Sequence, residues 1–181
     1  MKVLKNKHNV FFIVIVFLLT IQIAAQKKVN IQSSVPHPIM ELDQWQIHTG
    51  DLSVDQIFET NSKIKWESES IGQIWREKNQ VKWFKKEITL PDSFKRRDVV
   101  MDFRVTCGGT IFVDGKEMFK AGTSNGSGIL VNNAKAGTSY TIAVKLQNHN
   151  GSCSFIQADL TALPHGYAQL FSSKEKLVFN S

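Results

Sequence analysis

Thr110-Ile111-Phe112-Val113-Asp114-Gly115-Lys116-Glu117-Met118-Phe119 reads as two short strands folded back on one tight turn. Asp-Gly is a pair that tolerates the positive backbone angles of a two-residue hairpin loop, and β-branched or aromatic residues lie on both sides of it. A hairpin is expected here, and the neighbouring sequence repeats the theme. Upstream, Trp83 to Leu90 (WFKKEITL) sets Phe84, Ile88 and Leu90 on one side at period two, with Trp83, Lys85, Glu87 and Thr89 on the other, until Pro91-Asp92 ends it. Val99 to Val105 alternates Val99, Met101, Phe103 and Val105 against Val100, Asp102 and Arg104.

Downstream, Gly128 to Val131 gives a short strand closed by Asn132-Asn133, and Ala134 to Gly137 turns the chain into Tyr140 to Leu146. There Tyr140, Ile142, Val144 and Leu146 share a face. Ser154 to Leu163 continues the pattern, with Ile156, Ala158, Leu160 and Ala162 expected inward. Helical periodicity of any length is missing. Short alternating strands separated by turns every ~8–12 residues predict an all-β fold, a sandwich or jelly roll in which two sheets bury their facing sides.

The whole chain of 181 residues, 42% hydrophobic and 21% charged with 11 Gly, 4 Pro and 2 Cys, has an ordinary globular composition. That excludes a disordered, collagen-like or disulfide-dense chain. The length suits one domain of ~100–200 residues and falls short of the roughly 250 that a catalytic barrel takes.

The N-terminus carries Lys2, Lys5 and Lys7, then the apolar run Val10 to Leu19, then Ala24 and Ala25. This order is that of a secretory signal peptide, residues 1–25, cleaved after Ala25. A membrane anchor needs ~20 predominantly apolar residues, so the mature chain is expected to be soluble, with no membrane contact, and secreted or periplasmic. Removing those three lysines takes the formal +6 to +3, weak for a nucleic-acid binder, and Lys95-Arg96-Arg97 and Lys85-Lys86 read as solvated turn and strand edges. Residues 26–40, with Pro36 and Pro38, read as an extended leader, 41–163 as the sandwich, and 164–181 as a tail or the start of a further domain. Export also places Cys107 and Cys153 in an oxidising compartment, where a disulfide between them is permitted. Its formation depends on a Cα separation that is a tertiary property.

The order of several short stretches resembles the sugar-binding, galactose-binding-like jelly roll of secreted glycoside hydrolases, found in family 2 β-galactosidases and ahead of some α-mannosidases. Trp45-Gln46-Ile47-His48-Thr49-Gly50-Asp51 is similar to that family's opening W-x-F-x-x-G-D strand. Lys65-Trp66 is similar to its second tryptophan, and Ile71-Gly72-Gln73-Ile74-Trp75 to V-P-G-x-W. Trp83-Phe84-Lys85-Lys86-Glu87-Ile88-Thr89-Leu90-Pro91 resembles W-Y-R-K-x-F-x-L-P, and Thr110 to Glu117 resembles x-V-Y-V-N-G-K-E. The pattern spans about Glu41 to Leu163; Gly72 lacks the preceding Pro, Lys85 stands for Arg, and the 18 residues after Leu163 are too few for a catalytic domain. The resemblance implies a non-catalytic, carbohydrate-associated module, either free-standing or the leading piece of a hydrolase whose neighbouring domain or subunit does the chemistry.

The residues themselves point the same way on catalysis. Gly122-Thr123-Ser124-Asn125-Gly126 spells Gly-x-Ser-x-Gly, but a strand rather than a helix is predicted after it, so it reads as a turn and not a nucleophile elbow. His8, His37, His48, His149 and His165 show no metal-ligand spacing, neither cysteine completes a zinc pattern, and no cofactor is expected. The 16 carboxylates contain no local pair of the kind glycoside cleavage uses.

Binding asks for an aromatic face against the C–H side of a pyranose, with polar side chains on its hydroxyls. Trp45, alternating with Ile47, reads as core. Trp83, beside Lys85, is the candidate platform, with packing against an N-terminal segment or a missing neighbouring domain as the other reading. Trp66 and Trp75 lie in the irregular stretch Asn61 to Gln80, where they cover a sheet edge or line a loop-built site. Asn148, His149 and Asn150 are candidate hydroxyl partners or simply a polar turn. The rival function is a structural or interaction sandwich with no sugar site, its tryptophans serving an interface.

Overall fold

A computed structural model of the protein describes residues 37–60, 63–121 and 125–167. The expected signal peptide, the leader up to residue 36, the residues 122–124 of the Gly-x-Ser-x-Gly string and the tail beyond 167 lie outside them. The strands are β1 Ile39–Glu41, β2 Gln44–Thr49, β3 Glu67–Ser70, β4 Ile74–Trp75, β5 Gln80–Thr89, β6 Arg97–Val105, β7 Gly109–Val113, β8 Lys116–Ala121, β9 Asn125–Val131, β10 Ser139–Asn148 and β11 Cys153–Pro164. A short helix, α1, spans Val54–Phe58, and a 3₁₀ turn spans Asp92–Phe94.

Two antiparallel sheets form a jelly roll. One is six-stranded in the order β3-β2-β5-β10-β7-β8; the other is five-stranded in the order β1-β11-β6-β9, with β4 also paired to β11. The expected hairpin is β7–β8, and its turn residues Asp114 (φ 47°) and Gly115 (φ 80°) both take left-handed backbone. Asp114 does more than turn the chain, since its carboxylate accepts the Thr141 N–H at 2.8 Å and so joins the hairpin to β10.

Facing sides of the sheets bury Trp45, Phe84, Ile88, Met101, Phe103, Ile142, Val144, Leu146, Phe155 and Leu160. Each such side chain contributes roughly 1.5–3 kcal/mol relative to exposure. Phe155 is central, 5.2 Å from the Trp45 ring and 5.2 Å from the Phe84 ring, centroid to centroid. Lys86 sits on the inward row of β5 between Phe84 and Ile88, half-buried, and its ammonium donates to the carbonyl of Gln44 at the start of β2. At the sandwich edge Gly126 has no room for a side chain, because a Cβ there would lie 2.3 Å from the Phe103 ring. The missing side chain lets Phe103 and Phe119 pack at 5.1 Å.

Two expectations need correction. Ile156 was expected inward, but a β-bulge between Phe155 and Gln157 changes the parity of β11: Phe155 is 1% exposed and Ile156 is 40% exposed. Ala158, Leu160 and Ala162 do face inward. The strands begin at Ile39, inside the segment read as leader, because Ile39–Glu41 pairs with Thr161–Asp159 of β11. The absence of long helical periodicity holds, since α1 has only five residues and is held by a capping box: the Ser53 hydroxyl accepts from Gln56 N–H while the Gln56 amide oxygen accepts from Ser53 N–H.

Candidate binding faces of the sandwich

The outer face of the six-stranded sheet is not open where Trp83 lies. Val81, Trp83, Phe112 and Ala143 form a second apolar cluster, roofed by Ile57 of α1, with Leu52, Val54, Phe58 and Trp66 packed against it. Trp83 is 0% exposed, so it is not the platform that its outward parity suggested; the roof from the β2–β3 connection takes that surface. Lys145 holds the roof's edge, its ammonium 5.5 Å from the Trp83 ring and 2.6 Å from the Asp51 carboxylate. Lys85 is spent in the same way, donating to the Ile57 carbonyl at 2.9 Å with the Trp66 ring 5.6 Å away. Trp66 is partly buried and meets the His48 ring edge-on at 5.9 Å. The fold therefore brings Trp83, Lys85 and Trp66 together, as packing.

At one end of the sandwich, Trp75 is buried against Phe84 at 6.1 Å, with the Lys82 ammonium 4.9 Å from its ring. Asn148, a candidate hydroxyl partner, is fully buried instead. Its amide donates to the Trp75 carbonyl at 3.1 Å and accepts the Gly151 N–H at 2.8 Å, which shapes the β10–β11 turn. His149 and Asn150, at the tip of that turn, are exposed. Cys107 and Cys153 are disulfide-bonded, with Cα atoms 5.2 Å apart, tying the β6–β7 connection to the start of β11.

A larger open polar surface is on the other sheet. Arg104 of β6 lies opposite Asn125 of β9 and Gln157 of β11; one rung along, Asp102 lies opposite Ser127 and Asp159. Asp102, Arg104, Asn125, Ser127 and Gln157 are exposed and line a cleft of about 280 Å³ together with the backbone around Phe103 and Gly126. Arg104 Nε donates to Asn125 Oδ1 at 3.1 Å, and the Gln157 amide donates to the Asp159 carboxylate. The Arg104 terminal nitrogens, the Asn125 N–H groups, the Asp102 carboxylate and the Ser127 hydroxyl have no side-chain partner among the described residues. None of these was singled out for binding in the sequence. The alternation of Asp102 and Arg104 was the visible signal, but their neighbours come from strands 21 to 57 residues away and carry no local mark.

A smaller hollow of about 180 Å³, on the six-stranded sheet, is lined by Glu87, Thr89, Asp114, Ser139, Tyr140 and Thr141. Burial, and then the nearby Asp114 carboxylate, push the Tyr140 hydroxyl pKa up, so it remains a neutral phenol. Among the described residues no group of three or more His, Cys, Asp or Glu gathers to hold a metal ion, and no helix is long and apolar enough to cross a membrane.

Two facing antiparallel sheets around one apolar core and a family pattern running through their strands define a galactose-binding-like jelly roll of the glycoside-hydrolase type. The family model described as "Alpha-mannosidase, jelly roll domain" matches residues 35–174, and the chain belongs to that family. Among solved structures it is similar to Ruminococcus gnavus beta-glucuronidase, with a TM-score of 0.57 at 16% identity, over 71% of this chain and 29% of that one. It is likewise similar to a calcium-binding mutant of Bacteroides uniformis beta-glucuronidase 2, with a TM-score of 0.60 at 19% identity, over 71% of this chain and 18% of that one. The chain thus spans less than a third of either structure's length, and the likeness is one of fold. No curated protein matches the sequence.

Proposed function

We propose that this chain is an exported, non-catalytic accessory module of a glycoside hydrolase, holding carbohydrate at its surface while a hydrolase domain, on the same polypeptide or another, cleaves the glycosidic bond. The observation that carries the reading is the family match, which runs through every strand of the sandwich. The form of the polar surfaces supports binding over chemistry. Glycoside cleavage gains from carboxylates held across a water-excluding cleft, whereas the groups gathered here lie on an open sheet face. Export is supported by the Lys2-Lys5-Lys7, Val10–Leu19 and Ala24-Ala25 order, and by the Cys107–Cys153 bond, since disulfides persist in oxidising compartments.

Isothermal titration of the mature chain against α-mannosides, β-glucuronides, β-galactosides and their polymers tests the binding part. Saturable heat with at least one class is expected; a flat response to all of them overturns it. Hydrolysis of a chromogenic glycoside by the purified chain would overturn the non-catalytic part. N-terminal sequencing of the exported product should begin at Gln26.

A further inference from the structure

We infer that the carbohydrate site of this module is the outer face of the five-stranded sheet, at Asp102, Arg104, Asn125, Ser127 and Gln157, and that it takes one neutral hexopyranose. The inference rests on the accessory-module reading and adds the place and the class of sugar. Neighbouring strands lie ~4.8 Å apart and same-face residues ~6.8 Å apart along a strand. Three strands and two rungs therefore cover roughly 10 by 7 Å, the footprint of a single pyranose with its hydroxyls. The cleft volume of about 280 Å³ agrees, lying just under the ~300–1,000 Å³ of pockets that take drug-sized ligands.

Its chemistry is laid out in two rows. The Asn125–Arg104–Gln157 rung offers N–H donors, and the Ser127–Asp102–Asp159 rung offers oxygen acceptors. A sugar hydroxyl both donates and accepts, so one edge of the ring can meet each row. Two contacts already orient the side chains: Arg104 to Asn125, and Gln157 to Asp159. The β11 bulge turns both Ile156 and Gln157 outward, so an exposed aliphatic side chain lies beside the cleft for the sugar's C–H surface.

The face also carries an arrangement that folding does not require. Glu41, Asp159 and Asp102 stand directly opposite one another across β1, β11 and β6, and like charges so placed destabilise a sheet. With Arg104 the only cation among these residues, the surface is net acidic and disfavours a sugar carboxylate. That selects a neutral hexose over a uronic acid.

The test uses the full mature chain, labelled with ¹⁵N, titrated with methyl α-mannopyranoside, methyl β-galactopyranoside, methyl β-glucopyranoside and sodium glucuronate. Expected are amide shifts gathered at residues 102–104, 125–127 and 156–159 for a neutral hexoside, with weaker or no response to glucuronate. Arg104→Ala and Asp102→Ala should each weaken binding at least tenfold while the thermal midpoint stays within a few degrees; His149→Ala, at the loop tip, should leave affinity unchanged. Shifts gathered around His149 and Asn150 or around Trp66, or unaltered affinity in both cleft variants, would overturn the location and leave the accessory reading standing. Tighter binding of glucuronate would overturn the neutral class. No response to any sugar or polymer would remove both.

Discussion

Asp98 is the buried charged side chain among the described residues, and three donors explain how its charge is tolerated. Its carboxylate accepts from Asn133 N–H at 3.0 Å, Gly166 N–H at 2.7 Å and His165 Nδ1 at 2.8 Å. It thereby ties the start of β6 to the β9–β10 turn and to the exit of β11. Burial pushes the carboxyl pKa up, but the His165 hydrogen bond and the two backbone N–H groups outweigh it, leaving the group below its ordinary 3.8. A depressed folded pKa means that the clamp's contribution is complete above that ordinary value and is lost as pH falls through the lower folded one. Asp98→Asn sets an amide N–H against the same donors and should cost about 1.5–3 kcal/mol at pH 6. Urea midpoints at a series of pH values from 6 downward check this: the wild type's advantage over Asp98→Asn should hold above the ordinary carboxylate value and shrink as the pH is taken below it. In the sequence, Asp98 follows the solvated Lys95-Arg96-Arg97 run and carries no sign of burial, because its donors lie 35 to 68 residues away.

At the scale of the element, β5 shows what period-two reading yields. Phe84 and Ile88 were assigned to the core side and Trp83 to the opposite side, and the structure keeps both sides apart. What local alternation leaves undetermined is the cover over the outer side. Here α1 and its flanks supply it, through residues such as Leu52 and Ile57 that show no repeating pattern of their own. Because Trp83 is the largest side chain under that roof, Trp83→Ala should cost ~3–5 kcal/mol. It should also speed amide exchange across Leu52–Phe58 more than in the β6–β11 pair. Uniform acceleration throughout the molecule would mean that the roof and the sandwich open as one unit.

For the whole molecule, the disulfide is the longest-range covalent constraint in view. Cys107 and Cys153 are 46 residues apart, and closing such a loop restricts the unfolded chain by about 4 kcal/mol in the chain-entropy account. The bridge encloses β7 through β10 and ties the β6–β7 connection, where the chain passes from one sheet to the other, to the start of β11. Urea unfolding of the oxidised and dithiothreitol-reduced chain should differ by a few kcal/mol, with the Cys107→Ser/Cys153→Ser double variant matching the reduced form. Equal midpoints would place the sandwich's stability in its core alone.

Alternation, turn chemistry and the ordered family pattern are local properties of the chain, and they were enough to give the all-β class, the Asp114-Gly115 hairpin and the inward rows of β6 and β10. Strand order, the parity change at the Phe155–Gln157 bulge, the roof over Trp83 and the meeting of Arg104 with Asn125 and Gln157 were decided only by the tertiary structure. The physical reason is that an outward-facing side chain has the same sequence pattern whether it meets solvent, a covering loop or a neighbouring strand. Its surroundings are set by hydrogen-bonded pairing and apolar burial between segments far apart in the chain.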